Sequence, residues 1–117
     1  MSDAAALDQK LNQAILAGNA LGAFDEFYAD DVVLQENNEA PRHGKAVSRE
    51  YEVAFFSSIE TFYGATCNAS AVNGDTSFSQ WTWDLAFKGG PRIQMQQVAV
   101  RKWKAGKVAH ERLFFSK

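Results

Sequence analysis

The chain has 117 residues, of which 46% are hydrophobic, and a formal net charge of −2. That length fits one domain, residues 1–117, with enough apolar content for a core. A mildly acidic chain lacks the basic surface that nucleic acid requires, and no run approaches the ~20 apolar residues of a membrane span.

The opening Met1-Ser2-Asp3-Ala4-Ala5 has neither the basic nor the apolar segment of a secretory leader. Cys67 is the only cysteine, so no internal disulfide forms and a reducing cytoplasm is the expected compartment. Leu7, Leu11, Ala14 and Ile15 recur at helical spacing and predict a helix over 7–16. Ser2 or Asp3 is placed to cap it, and Gly18-Asn19 to end it. Leu21, Phe24 and Phe27 predict a second, shorter helix. Val33, Leu34 and Gln35 read as a short strand leading to Glu36, and residues 39–44 as a loop.

A third helix is predicted over roughly 46–62, with Val47, Tyr51, Ala54, Phe55, Ile59 and Phe62 on its apolar stripe. Ser48, Arg49, Glu52, Ser57 and Glu60 fall off that stripe. The second half changes period. Residues 65–72 can extend, and Asn73-Gly74-Asp75 is a tight-turn signal, because Asn and Gly tolerate positive φ. Strands follow over 76–87, 93–103 and 108–115, separated by Lys88-Gly89-Gly90-Pro91 and Lys104-Ala105-Gly106-Lys107. Arg101, Lys102, Lys104, Lys107 and Arg112 mostly flank that last turn and read as a solvated hairpin end.

Helices first and a long antiparallel meander second is an α+β order. Strands this long curl. The expected architecture is therefore a curved, mainly antiparallel sheet wrapped around about three N-terminal helices, forming a cone with an internal pocket.

Three segments carry a family resemblance: Tyr28-Ala29-Asp30-Asp31, Pro41-Arg42-His43-Gly44-Lys45, and Trp103 to Val108 running into Glu111-Arg112-Leu113-Phe114-Phe115. In that order they resemble the SnoaL-like proteins of the cystatin-like α+β cone superfamily. That superfamily includes nuclear transport factor, ketosteroid isomerase and scytalone dehydratase. It hosts isomerases, dehydratases, cyclases and non-catalytic binders, so the resemblance implies a fold and a pocket more than a reaction.

Ketosteroid isomerase offers a residue-level comparison. Its general-base aspartate lies five residues beyond the same Tyr-Ala-Asp-Asp run, which falls on Glu36. Its tyrosine oxyanion donor would fall near Leu11, and its protonated aspartate on Ala99. Two of three catalytic parts are thus absent, and steroid isomerisation by that mechanism is not expected.

The resemblance also implies which residues face inward. On the third meander strand these are Met95, Gln97, Ala99 and Arg101, and on the fourth Ala109, Glu111, Leu113 and Phe115. On the second they are Gln80, Thr82 and Asp84. Trp81, Trp83, Leu85 and Phe87 would then form an apolar outer face, which implies a homodimer through the sheet.

The expected pocket has Tyr51, Phe55, Met95, Leu113 and Phe115 as walls, with Glu36, Asp84, Gln97, Arg101 and Glu111 as polar groups. Glu36, Arg101 and Glu111 are the candidate catalytic residues: a proton carrier, an oxyanion stabiliser and its buried partner. The ligand class is a small apolar or polyketide-like carbonyl compound, with no cofactor. Non-catalytic ligand binding is the alternative. His43 and His110 show no metal-ligand spacing, and Cys67 has no histidine at a suggestive position.

Overall fold

The computed structural model describes residues 3–116. Three helices come first: α1 (Ala4–Leu16), α2 (Ala20–Phe27) and, after two strands, α3 (Lys45–Ser57). The strands are β1 (Tyr28–Glu36), β2 (Arg42–His43), β3 (Ile59–Asn73), β4 (Thr76–Phe87), β5 (Arg92–Lys104) and β6 (Lys107–Phe115). They form one six-stranded sheet in the order β2-β1-β6-β5-β4-β3. Among the described residues the β1–β6 pair is parallel and every other pair is antiparallel. Among the described residues no helix is long and apolar enough to cross a membrane.

The meander is local and hairpin-driven. Gly74, at φ 65°, and Ala105-Gly106, at φ 52° and 79°, occupy the left-handed region that tight turns demand. β3 carries register shifts at three places along β4, and β1 shifts against β6. Such bulges add local twist and bend, and so help curl the sheet. The sheet's concave face meets the helices at one end in a dense cluster. Leu11 of α1, Phe24 and Phe27 of α2, Val32 of β1, Trp103 of β5 and Val108 of β6 belong to it. Phe24 stacks on Tyr28 at 4.6 Å, and Phe27 meets the edge of Trp103. This is the closed end of the cone.

Four local expectations are corrected. Asp3 sits at the N-cap of α1 but makes no side-chain capping bond, and Ser2 lies outside the described residues. The helix starts at Ala4, three residues earlier than its apolar period suggests. α3 stops at Ser57, and Ile59 to Tyr63 are already strand, where a β-branched and aromatic run packs well.

The inward stripe of α3 is also rotated from the predicted one. Ser48 is fully buried and Glu52, Phe55 and Phe56 are half-buried, whereas Val47, Tyr51 and Ala54 are exposed.

The largest correction concerns β4. Trp81 pairs with Gln97, Trp83 with Met95 and Leu85 with Ile93 across β5. Directly paired residues share a face. With Gln97 and Met95 inside, the tryptophans are inside too. Trp81 and Leu85 are buried, and Phe87 packs on Phe55 of α3. The apolar outer face expected from Trp81, Trp83, Leu85 and Phe87 does not exist, and the dimer argument built on it falls with it. Gln80, Thr82 and Asp84 take the outer face instead. Asp84 there holds Arg92 in a two-pronged ion pair at 2.8–2.9 Å, so it is not a pocket residue.

Candidate functional site

At the closed end, α1 and the sheet bring a polar network together under the apolar cluster. Arg101, on β5, is 3% exposed. Its Nε donates to Glu111 Oε2 at 2.7 Å. Its Nη1 donates to Asp8 Oδ1 at 2.9 Å and to Asn12 Oδ1 at 2.7 Å. The Tyr28 hydroxyl donates to Glu111 Oε2 at 2.5 Å. Asn12 and Ser77 donate to Asp8, and Ser77 accepts from Trp103 Nε1.

Asp8 and Asn12 are one helical turn apart, so α1 presents both to the same guanidinium. Burial pushes the Tyr28 hydroxyl well above its usual pKa, with the Glu111 charge adding to the effect. Burial pulls Arg101 down, but the Tyr28 oxygen and the Glu111 and Asp8 carboxylates outweigh it and raise its pKa. The sequence reading paired Arg101 with Glu111 correctly in space. Asp8, Asn12 and Tyr28 were not anticipated. A buried carboxylate at i and an amide at i+4 on an otherwise apolar helix face was the available signal.

Beyond this network the cone holds three adjoining compartments. The inner chamber is about 290 Å³ and is lined by Glu36, Tyr51, Glu52, Phe55, Phe56, Trp83, Met95, Gln97, Leu113 and Phe115. Tyr51, Phe55, Met95, Gln97, Leu113 and Phe115, with Glu36, were all placed around one pocket by sequence reasoning, and the structure brings these seven together. Arg101 and Glu111 line only a narrow compartment of about 80 Å³, deeper in. An outer chamber of about 520 Å³ lies between the α1–α2 turn and the start of β3.

Glu36 stands at the end of β1, beside Leu113 of β6. Its Oε1 is 3.7 Å from the Arg42 guanidinium, which in turn lies over the Tyr51 ring at 3.7 Å from the centroid. β2 thereby brings Arg42 to the mouth of the inner chamber.

Glu52 was missed. It lies on the inward stripe of α3, four residues after Ser48 and four before Phe56, and it lines both the inner and the narrow compartments. Burial raises its carboxyl pKa to about 7, with the Glu111 and Glu36 charges adding to the effect and Arg42 opposing it. Protonated and ionised forms therefore coexist near neutrality. The predicted stripe hid it, because that stripe ran through Val47 and Tyr51.

Trp83 lines all three compartments. Its buried Nε1 has no hydrogen-bond partner among the described residues. An unpaired buried donor costs about 1–3 kcal/mol, and a ligand acceptor would recover that. Leu11 and Ala99, where the isomerase keeps its two oxyanion donors, are both buried apolar residues.

No group of three or more potential metal ligands occurs among the described residues. His110, on β6, has its pKa lowered by burial and by neighbouring Lys102 and Arg112. Burial likewise raises the Cys67 thiol.

Solved structures share this architecture over nearly the whole chain. A Mesorhizobium loti protein, provisionally described as a SnoaL-like polyketide cyclase and also as a carbohydrate phosphatase, is 26% identical. The match covers 97% of this chain and 98% of that one, with a TM-score of 0.84. A Jannaschia protein, provisionally described as a SnoaL-like polyketide cyclase, is 12% identical, covers 99% and 90% of the two chains, and has a TM-score of 0.84. A Catenulispora acidiphila protein with a ketosteroid isomerase-like fold, solved with trimethylamine, is 15% identical, covers 88% and 80%, and has a TM-score of 0.74. No curated protein matches the sequence significantly. The SnoaL-like domain matches residues 8–115, and the chain belongs to that family.

Proposed function

We propose that this protein is an acid–base enzyme acting on a small, largely apolar carbonyl compound, with Glu52 as the proton carrier. The observation that carries this reading is the Glu52 carboxyl itself: enclosed by the two inner compartments, with its pKa raised to about 7. A general base works best when its pKa lies near the operating pH.

As carboxylate, Glu52 takes a proton from the carbon next to the substrate carbonyl, leaving an enolate and a neutral Glu52. Where the substrate carries a β,γ double bond, returning that proton to the γ-carbon of the dienolate moves the double bond into conjugation and gives an isomerisation. If the enolate instead attacks a second carbonyl of the same molecule, a carbon–carbon bond forms and Glu52 protonates the new alkoxide, giving a cyclisation. The Mesorhizobium and Jannaschia descriptions agree with the second route. Apolar walls from Phe55, Met95, Leu113 and Phe115 supply affinity, and Gln97 supplies an orienting polar group.

The assay needs no known substrate. Small ketones are incubated with the protein in D₂O, and exchange of their α-protons is followed by NMR. The rate should rise with pH through about 7 as Glu52 ionises. Glu52→Gln should lower it by at least ~100-fold. Exchange at the same rate in the Gln variant would overturn Glu52 as carrier.

The second reading is a binding module without chemistry. It is supported by the commitment of Arg101 Nε and Nη1 to Glu111, Asp8 and Asn12, which takes from Arg101 the oxyanion role expected of it. Tight ligand binding without α-proton exchange would favour it.

A further inference from the structure

The three compartments are strung in series. The narrow one shares Ile15, Ala20 and Leu21 with the outer chamber, and Glu52, Gln97 and Leu113 with the inner one. Phe56 and Trp83 are common to all three. Their rings lie 6.4 Å apart, centroid to centroid, one from α3 and the other from β4. The two outermost compartments each have an exposed aromatic at the rim: Phe62 for the outer chamber, Tyr51 for the inner. A globular ligand would need only one chamber. Two chambers on either side of an aromatic waist suit a long one.

The waist also carries a polar group. Trp83 Nε1–H is buried and without a partner among the described residues, and the Trp83 ring packs on Phe56, Phe62 and Trp81. An indole N–H only donates, so it calls for an acceptor. With mostly apolar walls on both sides, that acceptor belongs in the interior of the ligand and not at its end.

We propose that the ligand is an elongated, open-chain molecule with two apolar arms and a mid-chain carbonyl, which parts the Phe56–Trp83 contact so that its arms fill both chambers and its oxygen accepts from the Trp83 Nε1 thereby uncovered. This rests on the small-molecule site proposed above and names the shape and polarity of what enters it. It also places the carbonyl in the compartments that Glu52 lines.

The test is a binding series by calorimetry with 5-nonanone, 2-nonanone and 3-pentanone. The first has a central carbonyl and two arms, the second a terminal carbonyl, and the third a central carbonyl without arms. 5-Nonanone should bind about tenfold more tightly than 2-nonanone, the scale of one added hydrogen bond, and about a hundredfold more tightly than 3-pentanone, the scale of four further buried methylenes.

Trp83→Phe keeps the aromatic wall and removes the donor, so it should erase the preference for 5-nonanone over 2-nonanone. Ile59→Trp fills the outer chamber, of which Ile59 is a wall, and should erase the preference for 5-nonanone over 3-pentanone while leaving 3-pentanone binding unchanged. Equal affinity for the two nonanones, or a preference that survives Trp83→Phe, would overturn the acceptor assignment. Equal affinity for the long and short ketones would overturn the threaded pose. Both readouts are binding, so they stand or fall separately from catalysis. Short ketones that exchange through Glu52 without a length preference would keep the enzyme and reject this ligand. A length preference without exchange would do the reverse.

Discussion

The two ends of the cone use polar residues in opposite ways. At the closed end the Arg101 guanidinium faces two carboxylates and an amide, and the Tyr28 hydroxyl and the Ser77 hydroxyl complete the set. At the open end the polar groups are held loosely or not at all. Glu36 lies 3.7 Å from Arg42, Trp83 Nε1 has no partner among the described residues, and Glu52 has a carboxyl that burial resists ionising. Both ends bury polar groups, so burial alone does not mark the site. What separates them is whether the hydrogen-bonding capacity is spent. A saturated network fixes the structure, and an unsaturated one waits for a ligand.

The largest expected effect breaks the closed end. Arg101→Met leaves Asp8 and Glu111 buried without their cation. Removing one partner of a buried ion pair costs about 3–5 kcal/mol. Tyr28, Asn12 and Ser77 still donate to the stranded carboxylates, which places the loss toward the lower part of that range. Urea unfolding monitored by tryptophan fluorescence measures it. A loss under ~1 kcal/mol would mean that the network is not structural, and the contrast between the two ends would dissolve.

The open end should respond with the opposite sign. The Glu52 pKa is raised in the fold from 4.5 to about 7. Between those values the folded state binds the proton that the unfolded state has lost, so stability falls as pH rises. The contribution is fully present below 4.5 and gone above about 7. Glu52→Gln removes this dependence. Relative to that variant, the wild type should lose roughly 2–3 kcal/mol between the two ends of the window. His110, with its lowered pKa, works in the other direction over part of the same range, but it is common to both proteins and cancels in the difference. Parallel stability curves for the two proteins would show that Glu52 is not desolvated. A residue whose removal stabilises the protein at neutral pH fits a role in function better than one in folding.

Much of this was legible in the sequence, and the failures have specific causes. The hairpin turns announced themselves through Asn73-Gly74 and Ala105-Gly106, and the order of the elements followed from the change of period. Met95, Gln97, Leu113 and Phe115 of the inner chamber are legible because the expected face of β5 and β6 is the observed one, and Glu36, Tyr51 and Phe55 come from β1 and α3. β4 presents the opposite face from the expected one. Its own alternation sets Trp81, Trp83, Leu85 and Phe87 against Gln80, Thr82 and Asp84, and burying the first set is favoured by several kcal/mol.

The family resemblance implies the opposite face, and a single residue of register exchanges the two faces completely. Glu52 was lost in a similar way, through rotation of a helix. Val47 and Ala54 of the apolar stripe face outward and Tyr51 reaches only the rim of the inner chamber, because packing turns the Ser48, Glu52, Phe55 and Phe56 side of α3 inward. The Asp8–Asn12–Arg101 contact links residues almost a chain length apart, so the local pattern on α1 marks Asp8 and Asn12 but not their partner.

The smallest expected effect concerns Glu36, the residue that the isomerase comparison nominated as the base. Its ion pair with Arg42 is long, at 3.7 Å, and the side chains retain 14% and 19% of their exposure. Arg42 has a second anchor in the face of Tyr51. Glu36→Gln should therefore cost under ~1 kcal/mol of stability, in keeping with partly solvated pairs. Its effect on ketone α-proton exchange should also be modest, below ~10-fold, because in the proposed mechanism the proton moves through Glu52 and Glu36 acts only through its charge. Measuring both variants at the same pH makes the comparison decisive. A ~100-fold loss in Glu36→Gln with little change in Glu52→Gln would move the base to the end of β1, where the isomerase keeps its own. It would also make Glu52 a wall residue whose raised pKa reflects enclosure alone. The opposite ranking would mean that this chain has shifted its proton carrier from the strand to the helix, 16 residues later in sequence but against the same inner chamber.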